Sequence, residues 1–118
     1  MSPDGMKIAQ PHTDGTGQST ETPEFRLAEA RRAADFLKAM GHEGRLLMLC
    51  HLCDSDLTVT ELEQLIMSRQ AAVSQQLARL RHEKLVTTRR DGNQIIYSLA
   101  DSRVRDMVMV IKALFTQP

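Results

Sequence analysis

From residue 25 onward the apolar positions recur at helical spacing. Phe25, Ala28, Ala33, Phe36, Leu37 and Met40 form one stripe; Pro23 sits where a helix can begin, and Gly41 suits its end. A second helix is predicted from about Glu43 to Asp54. Its apolar positions Leu46, Leu49, Cys50 and Cys53 follow i, i+3, i+4, i+7, and Leu47, Met48 and Leu52 widen the stripe until protein nearly surrounds the helix. Thr58-Val59-Thr60-Glu61 then fits the capping box S/T-x-x-E, in which Thr58 and Glu61 satisfy each other's orphan backbone N–H groups. The short helix TELEQLIM follows. Ser68 or Arg69 opens the next, RQAAVSQQLARLRHEK, with Ala72, Val73, Leu77 and Leu80 on one face.

At Leu85 the period changes. LVTTRRDGNQIIYSL is β-branched and alternating around Asp91-Gly92-Asn93, a hairpin signal. The last segment, ADSRVRDMVMVIKALF, returns to helical spacing with Val104, Met107, Val108, Ile111, Leu114 and Phe115 on one stripe, and Asp101 or Ser102 as N-cap. The predicted order is four helices, a hairpin and one helix, with no internal repeat. Residues 1–22 are rich in Gly, Pro, Ser, Thr and Asp without an apolar period, and read as a mostly disordered tail before a single domain over 23–116.

Composition agrees with a helical domain. The 118 residues are enough for one core without metal or disulfide staples. Apolar residues make up 42%, aromatics only 3%, and Trp is absent, so the core must come from Leu, Ala, Val and Met. No run of about 20 apolar residues and no signal-peptide pattern occurs, so a soluble, cytoplasmic protein without membrane contact is expected. Two cysteines are too few for a disulfide scaffold.

Charge changes the picture more. The net charge is zero, but residues 1–30 carry a net of −3, whereas Arg69, Arg79, Arg81, Lys84, Arg89 and Arg90 stand against Glu83 alone. A local basic patch of this kind suits nucleic acid whatever the global pI. Two short helices joined by the tight connection MSRQ, followed by a basic hairpin, make the arrangement of a winged helix-turn-helix. A helix that enters the major groove needs short polar side chains that reach base edges. Gln70, Ser74, Gln75 and Gln76 supply them, and Ala71 and Ala72 allow close approach. Arg69, Arg79 and Arg81 fall near phosphates, and Arg89, Arg90 and Asn93 ride the hairpin beside the backbone or minor groove. The competing readings are a solvated basic face and a winged helix used for protein contacts.

MGHEGRLLMLCHL, LTVTELEQLI, RQAAVSQQLARLRHEKLVTTRRDGNQIIYSL and DSRVRDMVMVIKALF together resemble the ArsR/SmtB family of dimeric repressors, over about residues 25–115. The resemblance implies a mainly α winged helix with no catalysis and no cofactor. It also implies a homodimer joined through the first and last helices, bound to a pseudo-palindromic double-stranded DNA operator until an inducer is sensed. Phe25, Leu37, Val104, Met107, Val108, Ile111, Leu114 and Phe115 are then the expected dimer interface.

Metal-sensing members of the family carry Cys-Val-Cys where this chain has Thr58, Val59 and Thr60, and threonine is no ligand for soft metals. Others bind zinc or nickel through Asp and His pairs on the last helix; Asp101 matches one position, but Arg103 replaces the His. No metal site of either type is expected. Cys50 and Cys53 remain. Their C-x-x-C lies in the last turns of a helix, not at the exposed helix start that a thioredoxin-like dithiol needs. Cys50 stands where the branch typified by BigR, SqrR and HlyU senses sulfide, polysulfide or oxidants, but Thr116 occupies the place of that branch's second cysteine. Sensing of reactive sulfur or oxidants through Cys50, with or without Cys53, and two structural core cysteines in a repressor regulated by a metal or another non-thiol input both stay open.

Overall fold

The computed structural model describes residues 24–67 and 70–116, with Gln70 and Ala71 described through their backbone only. The expected tail, Pro23, and the expected helix opening at Ser68 or Arg69 lie outside the described residues. Five helices run α1 Leu27–Met40, α2 Glu43–Asp54, α3 Val59–Ile66, α4 Gln70–His82 and α5 Ser102–Phe115. Three short strands, β1 Leu57–Thr58, β2 Val86–Asp91 and β3 Gln94–Leu99, form an antiparallel sheet in the order β1-β3-β2. This is a mainly α winged helix. The chain divides between Ala33 and Ala34. On the first side, Arg26 donates its backbone N–H to the Glu29 carboxylate (3.0 Å) and pairs with Glu24 (2.9 Å).

The core lies on the second side. Met48, Leu49 and Leu52 of α2, Leu62 of α3, Val73, Leu77 and Leu80 of α4, Leu85, and Val104 of α5 are its largest fully buried side chains. Burying each contributes about 1.5–3 kcal/mol. α2 corrects the sequence reading. Met48 and Leu52 are buried with Leu49, while Leu46, Cys50 and Cys53 are only half-buried and Leu47 is exposed. α2 is apolar nearly all round and touches α3, α4, α5 and β3, so tertiary packing and not the period selects its inner face. On α4, Val73, Leu77 and Leu80 are buried as the stripe predicts, but Ala72 is exposed.

Local chemistry fixes the ends of these elements. The Thr58/Glu61 capping box is present in both directions: Glu61 N–H donates to Thr58 Oγ1 (3.1 Å) and Thr58 N–H to Glu61 Oε1 (2.8 Å). α4 ends in a Schellman arrangement, with Leu85 N–H donating to Leu80 O (3.0 Å) and Lys84 N–H to Arg81 O (2.9 Å). Lys84 takes the left-handed position (φ 63°) that usually belongs to glycine. The hairpin closes over the two-residue loop Gly92-Asn93, with Asp91 opposite Gln94. Gly92 alone of the loop pair takes positive φ (65°), the pattern of a II′ turn. The strand β1 was not anticipated. Leu57 and Thr58 pair with Tyr97 and Ile96, a two-residue strand too short to show an alternation.

Candidate DNA-binding interface

α4 presents two unlike faces. Val73, Leu77 and Leu80 fill the core, so Gln75, Ala78 and His82 project from the opposite side, with Ser74 and Arg81 exposed on one flank and Arg79 on the other. Among the described residues, this outer face carries no apolar side chain larger than alanine. Of the side chains expected here, Ser74, Gln75, Arg79 and Arg81 are thus available at the surface. Arg79 also pairs with Glu83 one turn on (3.5 Å), a bond weak enough in water to yield to a phosphate. Arg69 lies outside the described residues, as does the side chain of Gln70. His82, on the same outer face, was not among the side chains expected to meet DNA.

Gln76 requires a correction. It is half-buried, and its Oε1 accepts a hydrogen bond from Arg45 Nη1 of α2 (2.8 Å). Arginine only donates, so the amide oxygen is committed inward. The same guanidinium donates from Nη2 to Lys38 O (3.0 Å) and from Nε to Ala39 O, carbonyls of the last turn of α1. Arg45 was missed because its partners lie on two other elements.

On the wing, Arg89 also departs from expectation. Its Nη1 donates to Asp56 Oδ2 (2.8 Å) and to Ser98 Oγ (3.1 Å), pinning the hairpin to the segment before β1. That bond, first, and one to Ser98 hold the Asp56 carboxyl below its usual range. Arg90 is exposed and makes no ion pair or side-chain hydrogen bond among the described residues, and Asn93 is exposed in the turn. Of the wing residues expected to meet DNA, Arg90 and Asn93 are therefore the uncommitted ones.

α5 splits the expected interface stripe. Val104 and Val108 are 0% and 2% exposed within the single chain, so they have no surface left for a partner. Met107 and Ile111 are half-buried against the same core. Leu114 and Phe115 remain exposed, together with Met109 and Val110, which the stripe did not include. On α1, Phe25 just before the helix and Leu37 within it are exposed as well. Asp101 caps α5 by accepting from Arg103 N–H (2.9 Å) and chelates the Arg103 guanidinium, which lies 5.1 Å from the Phe36 ring centroid. The bonds from Arg103 hold the Asp101 carboxyl below its usual range.

Cys50 and Cys53 are free thiols one turn apart. Burial, first, pushes both up from the ordinary thiol range; Asp54 adds to the effect, Lys112 opposes it at Cys50, and Arg105 opposes it at Cys53. Arg105 Nη1 also donates to the Cys53 carbonyl, tying α5 to the end of α2. A higher pKa means less thiolate at neutral pH and a less reactive sulfur. Among the described residues, no three His, Cys, Asp or Glu side chains gather as a metal site, and no helix is long and apolar enough to cross a membrane.

Residues 42–88 match the family model described as bacterial regulatory protein, arsR family. The transcriptional activator HlyU of Vibrio cholerae is 40% identical over 107 residues, spanning 91% of this chain and 96% of that protein. This chain belongs to the ArsR family. The biofilm growth-associated repressor of Agrobacterium fabrum is 37% identical over 75% of this chain and 76% of that one. Among solved structures, HlyU from V. cholerae superposes with a TM-score of 0.74 at 37% identity, covering 78% of this chain and all of that one. The repressor BigR from Xylella fastidiosa gives 0.74 at 35% identity, covering 77% and 93%. The chain is thus a DNA-binding transcriptional regulator of ArsR type.

Proposed function

We propose that this regulator is a non-catalytic repressor whose α4 reads an operator in the major groove. The observation that supports this most is the outer face of α4, polar and small, beside a wing whose Arg90 and Asn93 are uncommitted. Ser74 and Gln75 meet base edges. Arg69, Gln70, Arg79, Arg81, Arg90 and Asn93 contact the backbone or bases nearby, while Arg89 shapes the wing. Residues 23–116 hold these functions. Two protomers pair through α1 and through the exposed side of α5, where Leu114 and Phe115 stand, and so present their reading helices to half-sites about one turn (~10 bp) apart. Binding to operator DNA measured between low and high salt tests the backbone contacts. Arg90→Ala should weaken binding to every sequence and flatten the salt dependence by about one unit of slope. An unchanged slope removes Arg90 from the interface.

One observation favours a thiol input as well. A solved structure of reduced HlyU from V. cholerae superposes with a TM-score of 0.72 at 38% identity, covering 76% of this chain and 95% of that one. Here a reactive sulfur species or oxidant would act at Cys50, with Cys53 as neighbour. Helical i, i+3 positions hold Cβ atoms about 5–6 Å apart against about 3.5–4.5 Å in a disulfide, so direct pairing needs local distortion of α2. Operator binding by wild type and Cys50→Ser, each with and without polysulfide or peroxide, decides between this input and two packing cysteines. A wild type indifferent to both reagents leaves the cysteines as packing residues.

A further inference from the structure

The single guanidinium of Arg45 reaches three groups on two other helices. Nε and Nη2 donate to Ala39 O and Lys38 O, and Nη1 donates to Gln76 Oε1. The two carbonyls belong to the last turn of α1, where Lys38 O also accepts the Gly41 N–H (3.2 Å) and where the helix dipole is negative, so a fixed cation is favoured there. The chain turns tightly at the same place: a Cβ on Gly41 would stand 3.0 Å from Leu37 O. Because the guanidinium is planar and its donors are fixed relative to one another, holding α1 with one edge dictates where Gln76 must sit. Gln76 immediately follows Gln75 on α4, and its amide faces away from the outer surface that Gln75 occupies.

We propose that Arg45 and Gln76 form a positioning clamp that sets α4 against the end of α1, so that Arg45 governs operator selectivity without touching DNA. The proposal rests on α4 being the reading helix. In it Gln76 is a positioning residue and reads no base. Loss of the clamp lets α4 shift under Ser74 and Gln75 together, which lowers discrimination at every base they contact. Replacing Gln76 removes only the link to α4, whereas replacing Arg45 also uncaps α1.

The test is the ratio of affinities for operator and random-sequence DNA, measured for the full chain and for Gln76→Met, Gln76→Glu, Arg45→Met, the Arg45→Met/Gln76→Met double variant, and Gln75→Ala. Gln76→Met should lower the ratio about tenfold, spread over several operator positions. Gln76→Glu should restore it, because a carboxylate accepts the same guanidinium bond; its added charge weakens binding to both DNAs alike. The double variant should lose no more than Arg45→Met alone. If Arg45→Met does not fold, the Met and Glu variants at position 76 carry the decision, since both leave α1 capped. A loss confined to one base pair in Gln76→Met, a Glu variant no better than Met, or multiplicative losses in the double variant would overturn the clamp. With Gln75→Ala altering base preference, that failure falls on the clamp alone; a silent Gln75→Ala overturns the reading-helix assignment beneath it.

Discussion

α2 and α4 are helices of similar length that cross in the same core, yet they carry opposite kinds of information. α4 has one buried stripe, Val73, Leu77 and Leu80, and its other described side chains face outward or sideways. α2 is apolar on almost every side and contacts α3, α4, α5 and β3. A helix with one committed face shows in its sequence what the other face is free to do. A helix that is apolar all round is a hub: its sequence says that it is buried but not which residue meets which neighbour.

That contrast can be broken first by truncation. Met48→Ala on the inner face of α2 should cost about 2–5 kcal/mol of unfolding free energy, while Leu47→Ala next to it should cost less than about 1 kcal/mol. Denaturant midpoints compare them directly; equal losses would restore the wider stripe that the period suggested. The second test uses α4. Gln75→Ala should leave stability within about 0.5 kcal/mol yet cost about 1–3 kcal/mol of discrimination at one operator position.

The ends of the elements sharpen the comparison with smaller effects. Asp101→Ala removes the cap of α5 and should cost about 1 kcal/mol at neutral pH. The carboxyl is held low in the folded chain, so it stabilises above the unfolded pKa and the contribution is lost as pH falls through the depressed folded value. Wild type and variant should therefore converge in acid, which thermal melts across pH will show. Lys84→Gly relieves a left-handed lysine and should stabilise by about 0.5 kcal/mol, since part of the strain removed returns as glycine's chain entropy.

How much of this was legible in the sequence follows from the range of each interaction. The capping box at Thr58, the Asp101 cap, the turn at Gly92-Asn93 and the single stripe of α4 depend on residues a few positions apart, and the sequence displays them. The strand β1, the commitment of Arg89 to Asp56, and the Arg45–Gln76 bond join residues 31 to 40 positions apart. No local pattern announces them, so Arg89 and Gln76 were both read as free for DNA. The α5 stripe fails for another reason. Val104 and Phe115 share a helical period, but only tertiary packing decides that the first is spent inside the protomer and the second stays outside. The thiols were placed on the buried stripe of α2, whereas their half-burial and raised pKa depend on α5 being in place beside α2.

The central claim is that the outer face of α4 reads DNA sequence. Its most direct test is a binding profile over an operator library in which each base pair is varied, for wild type and Gln75→Ala. The account predicts that Gln75→Ala relaxes preference at one position in each half-site and leaves the remaining positions intact. A profile unchanged at every position, with affinity also unchanged, would contradict it.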